Sequence, residues 1–142
     1  MIVYSQLCRL FPETHGTKDA AIEFHEVYID STDKVYKGLY VPLNKSLEED
    51  LKDAIDNGAI GAVWSNYEKI PVFVPNHFPL FLVDDTVKAL KDLIIDYNNH
   101  TEGNRVTKFS LSFREGHNVE TNTYDSAVLK EINKLIKGGD EE

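Results

Sequence analysis

Val27-Tyr28-Ile29-Asp30-Ser31-Thr32-Asp33-Lys34-Val35-Tyr36-Lys37-Gly38-Leu39-Tyr40-Val41-Pro42-Leu43 is the stretch whose reading decides the fold. Two apolar runs flank a polar loop that opens with Asp-Ser-Thr and closes with Lys-Gly. Short runs rich in Val, Ile, Tyr and Phe, bounded by turn formers, read as strands. The first strand is expected over Ala21 to Asp30 and the second over Gly38 to Leu43, closed off by Pro42 and Asn44.

Downstream the period changes from two to 3.6. Ser46-Leu47-Glu48-Glu49 has the form of a capping box, in which the serine accepts from first-turn amides and Glu49 reaches back. The helix it opens is expected to bury Leu47, Leu51, Ala54 and Ile55, with Gly58 as its left-handed C-terminal cap. Ile60 to Trp64 then reads as a strand buried on both faces. Val72-Phe73-Val74 and Phe81-Leu82-Val83 are two further strand candidates, split by Pro75 and Pro79. Asp85 is placed to cap a helix running to about Tyr97, with Val87, Leu90, Ile94 and Tyr97 on its apolar side. Asn98-Asn99-His100 and Gly103 are expected to end it.

The flanks are simpler. Tyr4 to Phe11 reads as a short helix and Pro12 to Asp19 as a loop. Thr107 to Phe113 alternates as a strand. Asp125 or Ser126 can open a last helix that Gly138-Gly139 stops, leaving 138–142 as a frayed acidic tail. The alternation of strands and helices predicts an α/β fold, with a mixed, largely parallel sheet flanked by helices. One domain over residues 1–142 is the expectation from length.

Composition narrows the function classes. Fifteen basic against twenty-four acidic residues give a net charge of −9. Phosphate backbones and anionic lipid surfaces need clustered Lys and Arg, so no nucleic acid and no membrane is expected as partner. Cys8 is the single cysteine, so no internal disulfide can form, which fits a reducing cytoplasm. No basic segment leads into an apolar one at the N-terminus, and no run approaches the roughly 20 apolar residues of a membrane span.

Three ordered blocks carry a family resemblance. The Val27–Leu43 run, with its strand ending in Asp30-Ser31, resembles the start of the N-terminal domain of Mur ligases, the cytoplasmic ligases that build the peptidoglycan peptide. Asp53-Ala54-Ile55-Asp56-Asn57-Gly58-Ala59-Ile60-Gly61-Ala62-Val63 is similar to that family's helix-to-strand turn. Phe81-Leu82-Val83-Asp84-Asp85-Thr86-Val87-Lys88-Ala89-Leu90 is similar to its strand-to-helix junction. Together the blocks cover roughly residues 20–98. The resemblance implies a Mur ligase N-terminal-domain-like α/β fold, with 99–142 as an extra strand and helix. It also implies that the serine at Ser31 helps to hold the uridine diphosphate part of a substrate.

The sequence departs from the family pattern in three places. Thr32 stands where the family has arginine. Leu43 leads through Asn44-Lys45-Ser46 into the helix without the family's Asp-Gly-His-x-Phe motif. After Thr107–Phe113 comes Arg114-Glu115-Gly116-His117-Asn118, and no Gly-x-x-x-x-Gly-Lys-[Ser/Thr] phosphate loop occurs. ATP-dependent ligation is therefore not expected, and no cofactor is. The expectation is a non-catalytic domain binding a UDP-sugar or UDP-muramyl precursor. The alternative is a protein-interaction or scaffold module, or a homodimer, that keeps the fold without the nucleotide site. In that case an apolar patch is expected from Thr107 onward.

The candidate ligand-binding residues are Asp30, Ser31, Thr32 and Lys45. Hydroxyls and amides at a strand's C-terminal end can bind a base or phosphate oxygen. The plain alternative is a turn, since Asp, Ser and Thr bond their own backbone. Lys45 offers a phosphate contact at a helix N-terminus, or is a solvated surface lysine. Tyr36 and Tyr40 are aromatic candidates to stack on a base, against ordinary packing. His15, His25, His77, His100 and His117 show no metal-ligand spacing. Cys8 has no activating neighbour in sequence. Asp84-Asp85 reads as a cap and turn before it reads as a cation site.

Overall fold

The alternating periods assemble into a six-stranded sheet with helices on both faces. The computed structural model describes residues 1–43, 47–100 and 107–111. In chain order the elements are β1 (Ile2–Val3), α1 (Tyr4–Leu10), β2 (Thr14–His15), β3 (Glu23–Phe24), β4 (Glu26–Tyr28), β5 (Gly38–Tyr40), α2 (Glu48–Asp56), β6 (Ala59–Ser65), β7 (Leu80–Val83), α3 (Thr86–His100) and β8 (Lys108–Ser110). The large sheet has the order β2-β7-β6-β5-β4-β8, and β1 pairs with β3 in a separate two-stranded ribbon. Every pairing in the large sheet is parallel except β2 with β7. The expected mixed, largely parallel sheet is thus the observed one among the described residues.

Chain direction across the sheet explains where the helices lie. From β4 the chain steps to β5, β6 and β7 in one direction. It then returns through α3 to β8, on the opposite side of β4. Crossovers between parallel strands keep one hand, so reversing the direction of travel puts the helix on the other face. Accordingly α2 contributes Leu51 and Ala54 to a core with Tyr28, Tyr40, Ala62, Trp64 and Leu80. From the opposite face α3 contributes Ala89, Leu90, Leu93 and Ile94 to a core with Leu7 of α1, Val27, Ile29, Leu39, Val41, Val63 and Phe81. Consecutive residues of β4, β5 and β7 alternate between these cores, as a pleat demands.

Strand β6 alternates only after a defect. Gly38 pairs with Ala59, but Leu39 pairs with Gly61, so Ile60 is an extra residue in its strand. One extra residue reverses which face each side chain takes. Ala59 therefore shares the α2 core with Ala62 and Trp64, while Ile60 packs on the α3 core with Val63.

Several expectations need correction. The strand expected over Ala21 to Asp30 is two strands. It breaks at His25, whose amide bonds Lys37 O, because β3 turns away to pair with β1. The Pro12–Asp19 loop contains β2, which pairs with β7. Val72-Phe73-Val74 is a turn, not a strand: the Val74 amide bonds Pro71 O, and Val72 is 91% exposed. Two prolines flank this segment and remove donors a ladder would need. Helix α2 begins at Glu48 with Leu47 as its cap residue and no side-chain cap, and Leu47 is exposed rather than buried. Three acidic residues in its first turn, Glu48, Glu49 and Asp50, complement the positive helix end instead. Helix α3 runs through Asn98-Asn99 to His100, past the expected stop. Ser46, Gly103, the Asp125–Gly138 helix and the acidic tail lie outside the described residues.

Candidate functional site

Strand β4 marks the place where the strand order reverses. The chain leaves it toward β5 on one side and arrives at β8 on the other. In open α/β sheets the crevice beyond the carboxyl end of such a strand is where ligands bind. Ile29-Asp30-Ser31-Thr32 follows that end directly.

The segment does not project as a free loop. It folds back toward the C-terminal end of α2. Asp30 Oδ1 accepts from the Thr32 amide at 2.9 Å and from the Thr32 hydroxyl at 2.7 Å. The Asp33 amide donates to Asp30 O at 3.0 Å, closing the turn. This is the self-bonded arrangement that Asp and Thr favour. Asn57, the residue after α2, fastens the loop at two points: its Nδ2 donates to Ser31 O at 3.1 Å, and its O accepts from the Val35 amide at 2.8 Å.

Asp30 is fully buried and Ser31 is 2% exposed, whereas Thr32 is half-buried. Beneath them lie two buried tyrosines, Tyr28 and Tyr40, with ring centroids 5.6 Å apart and planes at 48°. Burial pushes the Tyr40 phenol well above its usual range, with Asp50, Tyr28 and Asp30 adding to the shift; a hydrogen bond from the Ser31 hydroxyl opposes it. Burial also raises Tyr28, and Asp33, Glu26 and Asp30 push the same way. The Tyr28 hydroxyl is buried with no hydrogen-bond partner. Both phenols are therefore neutral at ordinary pH and serve as packing groups rather than bases.

Of the sequence-derived candidates, the structure brings Asp30, Ser31 and Thr32 together in one turn, and Lys45 lies outside the described residues. Tyr40 is 3% exposed and beneath the turn, while the exposed Tyr36 packs its ring edge-on against His25 at 5.1 Å. Asp85 acts as the expected cap: its Oδ1 accepts from the Val87 and Lys88 amides at 3.0 and 3.2 Å. Its neighbour Asp84 accepts from Asn66 Nδ2 at 2.9 Å across the β6 and β7 strand ends. Among the described residues no group of three His, Cys, Asp or Glu side chains is placed to hold a metal ion. No helix there is long and apolar enough to cross a membrane.

Two partnerships escaped sequence reasoning. In the sequence Asn57 reads only as part of a helix-to-strand turn, although an Asn just before a capping glycine is a common local bonder. Thr107 reads as a strand start, yet its hydroxyl donates to Phe24 O at 2.8 Å and accepts from the Ile2 amide at 2.9 Å. No local signal could have paired Thr107 with partners more than eighty residues away. A scan against protein-family models finds no match to this chain, and a search of the curated proteins returns none either.

Proposed function

We propose that this chain is a non-catalytic binding module for a UDP-linked sugar or a related cell-wall precursor, with a Mur ligase N-terminal-like fold. The observation that carries the reading is the position of the Asp30–Thr32 turn, directly after the strand where sheet order reverses. The other two blocks of the resemblance lie at the α2-to-β6 and β7-to-α3 junctions of the same sheet. Ser31 is nearly covered, and its carbonyl is tied to Asn57. Its part is to set the turn from which half-buried Thr32 and neighbouring amides meet the ligand. Lys45 adds a phosphate contact.

Thermal unfolding with and without UDP and UDP-muramyl precursors at millimolar concentration tests this. Ligand at ten times its dissociation constant adds about 1.4 kcal/mol. For a chain of this length the midpoint then rises by a few degrees. The shift should grow with concentration and shrink in Ser31→Ala, which loosens the turn that presents Thr32 to the ligand. No shift at any concentration would sink the reading.

A second reading, a protein-interaction module, is favoured by the connection between β6 and β7. There Tyr67 is 78% exposed, Val72 91% and Phe73 39%. Exposed apolar residues gathered on one segment mark contact surfaces. The segment from Thr107 onward, where the sequence leads one to expect an apolar patch, lies mostly outside the described residues.

A further inference from the structure

Asn57-Gly58 is the single Asn-Gly pair in the chain, and the fold holds both residues in place. Gly58 adopts φ 120°, a conformation that favours glycine, and a Cβ there would lie 1.9 Å from Val35 O. Asn57 fastens the loop that follows β4. Its Nδ2 donates to Ser31 O at 3.1 Å, and its main-chain O accepts from the Val35 amide at 2.8 Å. Gly58 O accepts from the Gly38 amide at 3.2 Å, so the same pair also meets the start of β5. Neither residue can be exchanged without giving up one of these contacts.

An asparagine followed by glycine is chemically labile, because no side chain shields the glycine amide from the asparagine's own Cγ. The end of α2 that carries the pair is poorly secured. Its last turn holds no basic residue, while Asp53 and Asp56 are exposed acids there. Negative charge at a helix C-terminus opposes the helix dipole and favours fraying. The Gly58 amide donates to Ile55 O at 3.3 Å, a long bond. In the closed turn ψ of Asn57 is 5°, which turns the Gly58 nitrogen away from Asn57 Cγ. Attack therefore starts from the frayed turn.

We propose that Asn57 is a self-modification site whose deamidation releases the 31–35 loop from α2. The Gly58 nitrogen gives up its proton to hydroxide and attacks Asn57 Cγ. The Cγ–Nδ2 bond breaks, and ammonia leaves with a proton from water. Water then adds to the cyclic imide at either carbonyl, leaving aspartate or isoaspartate at that position. The aspartate has no donor for Ser31 O and sets a carboxylate against that carbonyl. Isoaspartate lengthens the main chain by one carbon and displaces the carbonyl that the Val35 amide bonds. Either product adds negative charge beside Asp53 and Asp56 at the same helix end. The modification holds whether or not the loop binds a nucleotide.

Peptide mapping by mass spectrometry of the full chain, aged at mildly alkaline pH, tests the assignment. Tryptic peptide 53–69 contains Asn57 and also Asn66, an internal reference whose neighbour Tyr67 carries a bulky side chain. The one-dalton gain should appear first at Asn57, with isoaspartate there, and more slowly than in the urea-unfolded chain. The aged chain should melt lower by a few degrees and exchange its Val35 amide faster. Asn57→Asp should reproduce both changes and exceed Asn57→Ala, which loses the donor without adding charge. Asn57 left intact in the folded chain, while the unfolded chain deamidates there, overturns the site. Modified Asn57 with unchanged melting and unchanged Val35 exchange overturns the release of the loop. The mass gain is read on the wild type, so the site is tested even where a variant fails to fold.

Discussion

Tyr28 and Tyr40 are buried to nearly the same extent on neighbouring strands. The Tyr28 hydroxyl is buried with no hydrogen-bond partner. A buried unsatisfied hydroxyl costs about 1–3 kcal/mol, and a satisfied one contributes about 1 kcal/mol. Tyr28→Phe should therefore raise stability by about 1 kcal/mol in urea unfolding. The sign of the pH effect follows from protons bound. Both phenols are raised in the folded state, so the folded chain holds protons that the unfolded chain releases near pH 10. Their stabilising effect is complete below that pH and is lost as pH climbs above it. Stability of the wild type should fall steeply above about pH 10, and less steeply in Tyr28→Phe and in Tyr40→Phe. Equal alkaline slopes in all three proteins would contradict this.

At the scale of elements, the joints are more demanding than the interiors. Gly58, just past α2, has φ 120°, and a Cβ there would lie 1.9 Å from Val35 O. The obstacle is backbone, in the loop that Asn57 holds, so it cannot swing aside. Gly58→Ala should cost at least about 2 kcal/mol, from backbone strain and displacement of the Val35 segment together. At the start of α3, Asp85→Ala removes the acceptor for two amides and should cost about 1 kcal/mol. Asp85→Asn, which can still cap, should recover most of it. Both costs are read from denaturant midpoints at constant slope. Both joints were legible in sequence: a glycine after an amphipathic run, and Asp-Asp-Thr before one. The start of α2 was less so. Its helical period is real, but Leu47 precedes the first helical turn as an exposed cap residue, so the period does not carry it into the core.

For the whole molecule, order in the sheet sets which parts open first. Strands β4, β5 and β6 are each hydrogen-bonded on both sides and covered by cores on both faces. Strand β2 and the β1–β3 ribbon have two residues per strand. Native-state hydrogen exchange should find the slowest amides in β4, β5 and β6 and early opening of β2. The ribbon should open later than its length suggests, because Thr107 ties Ile2 and Phe24 to the start of β8. Thr107→Val, which keeps the shape and deletes both bonds, should bring ribbon exchange forward to match β2. Slow exchange of the ribbon in that variant would show that the threonine does not hold it.

By itself the sequence determined the α/β class, the parallel character of the sheet, the helix of α3 with its cap, and the Asp30–Thr32 turn. These are properties of local period, capping chemistry and connection handedness, all written within a few residues of each other. Only the tertiary structure decided that Ala21–Asp30 breaks at His25, that Ile60 reverses the faces of β6, and that Asn57 binds the loop after β4. It also decided that Ser31 is covered while Tyr36 is exposed. Each of these depends on which distant segment supplies the hydrogen-bond partner or the neighbouring side chain. A chain met one residue after another does not carry that information in its periods, because pairing is a contest among segments far apart in sequence.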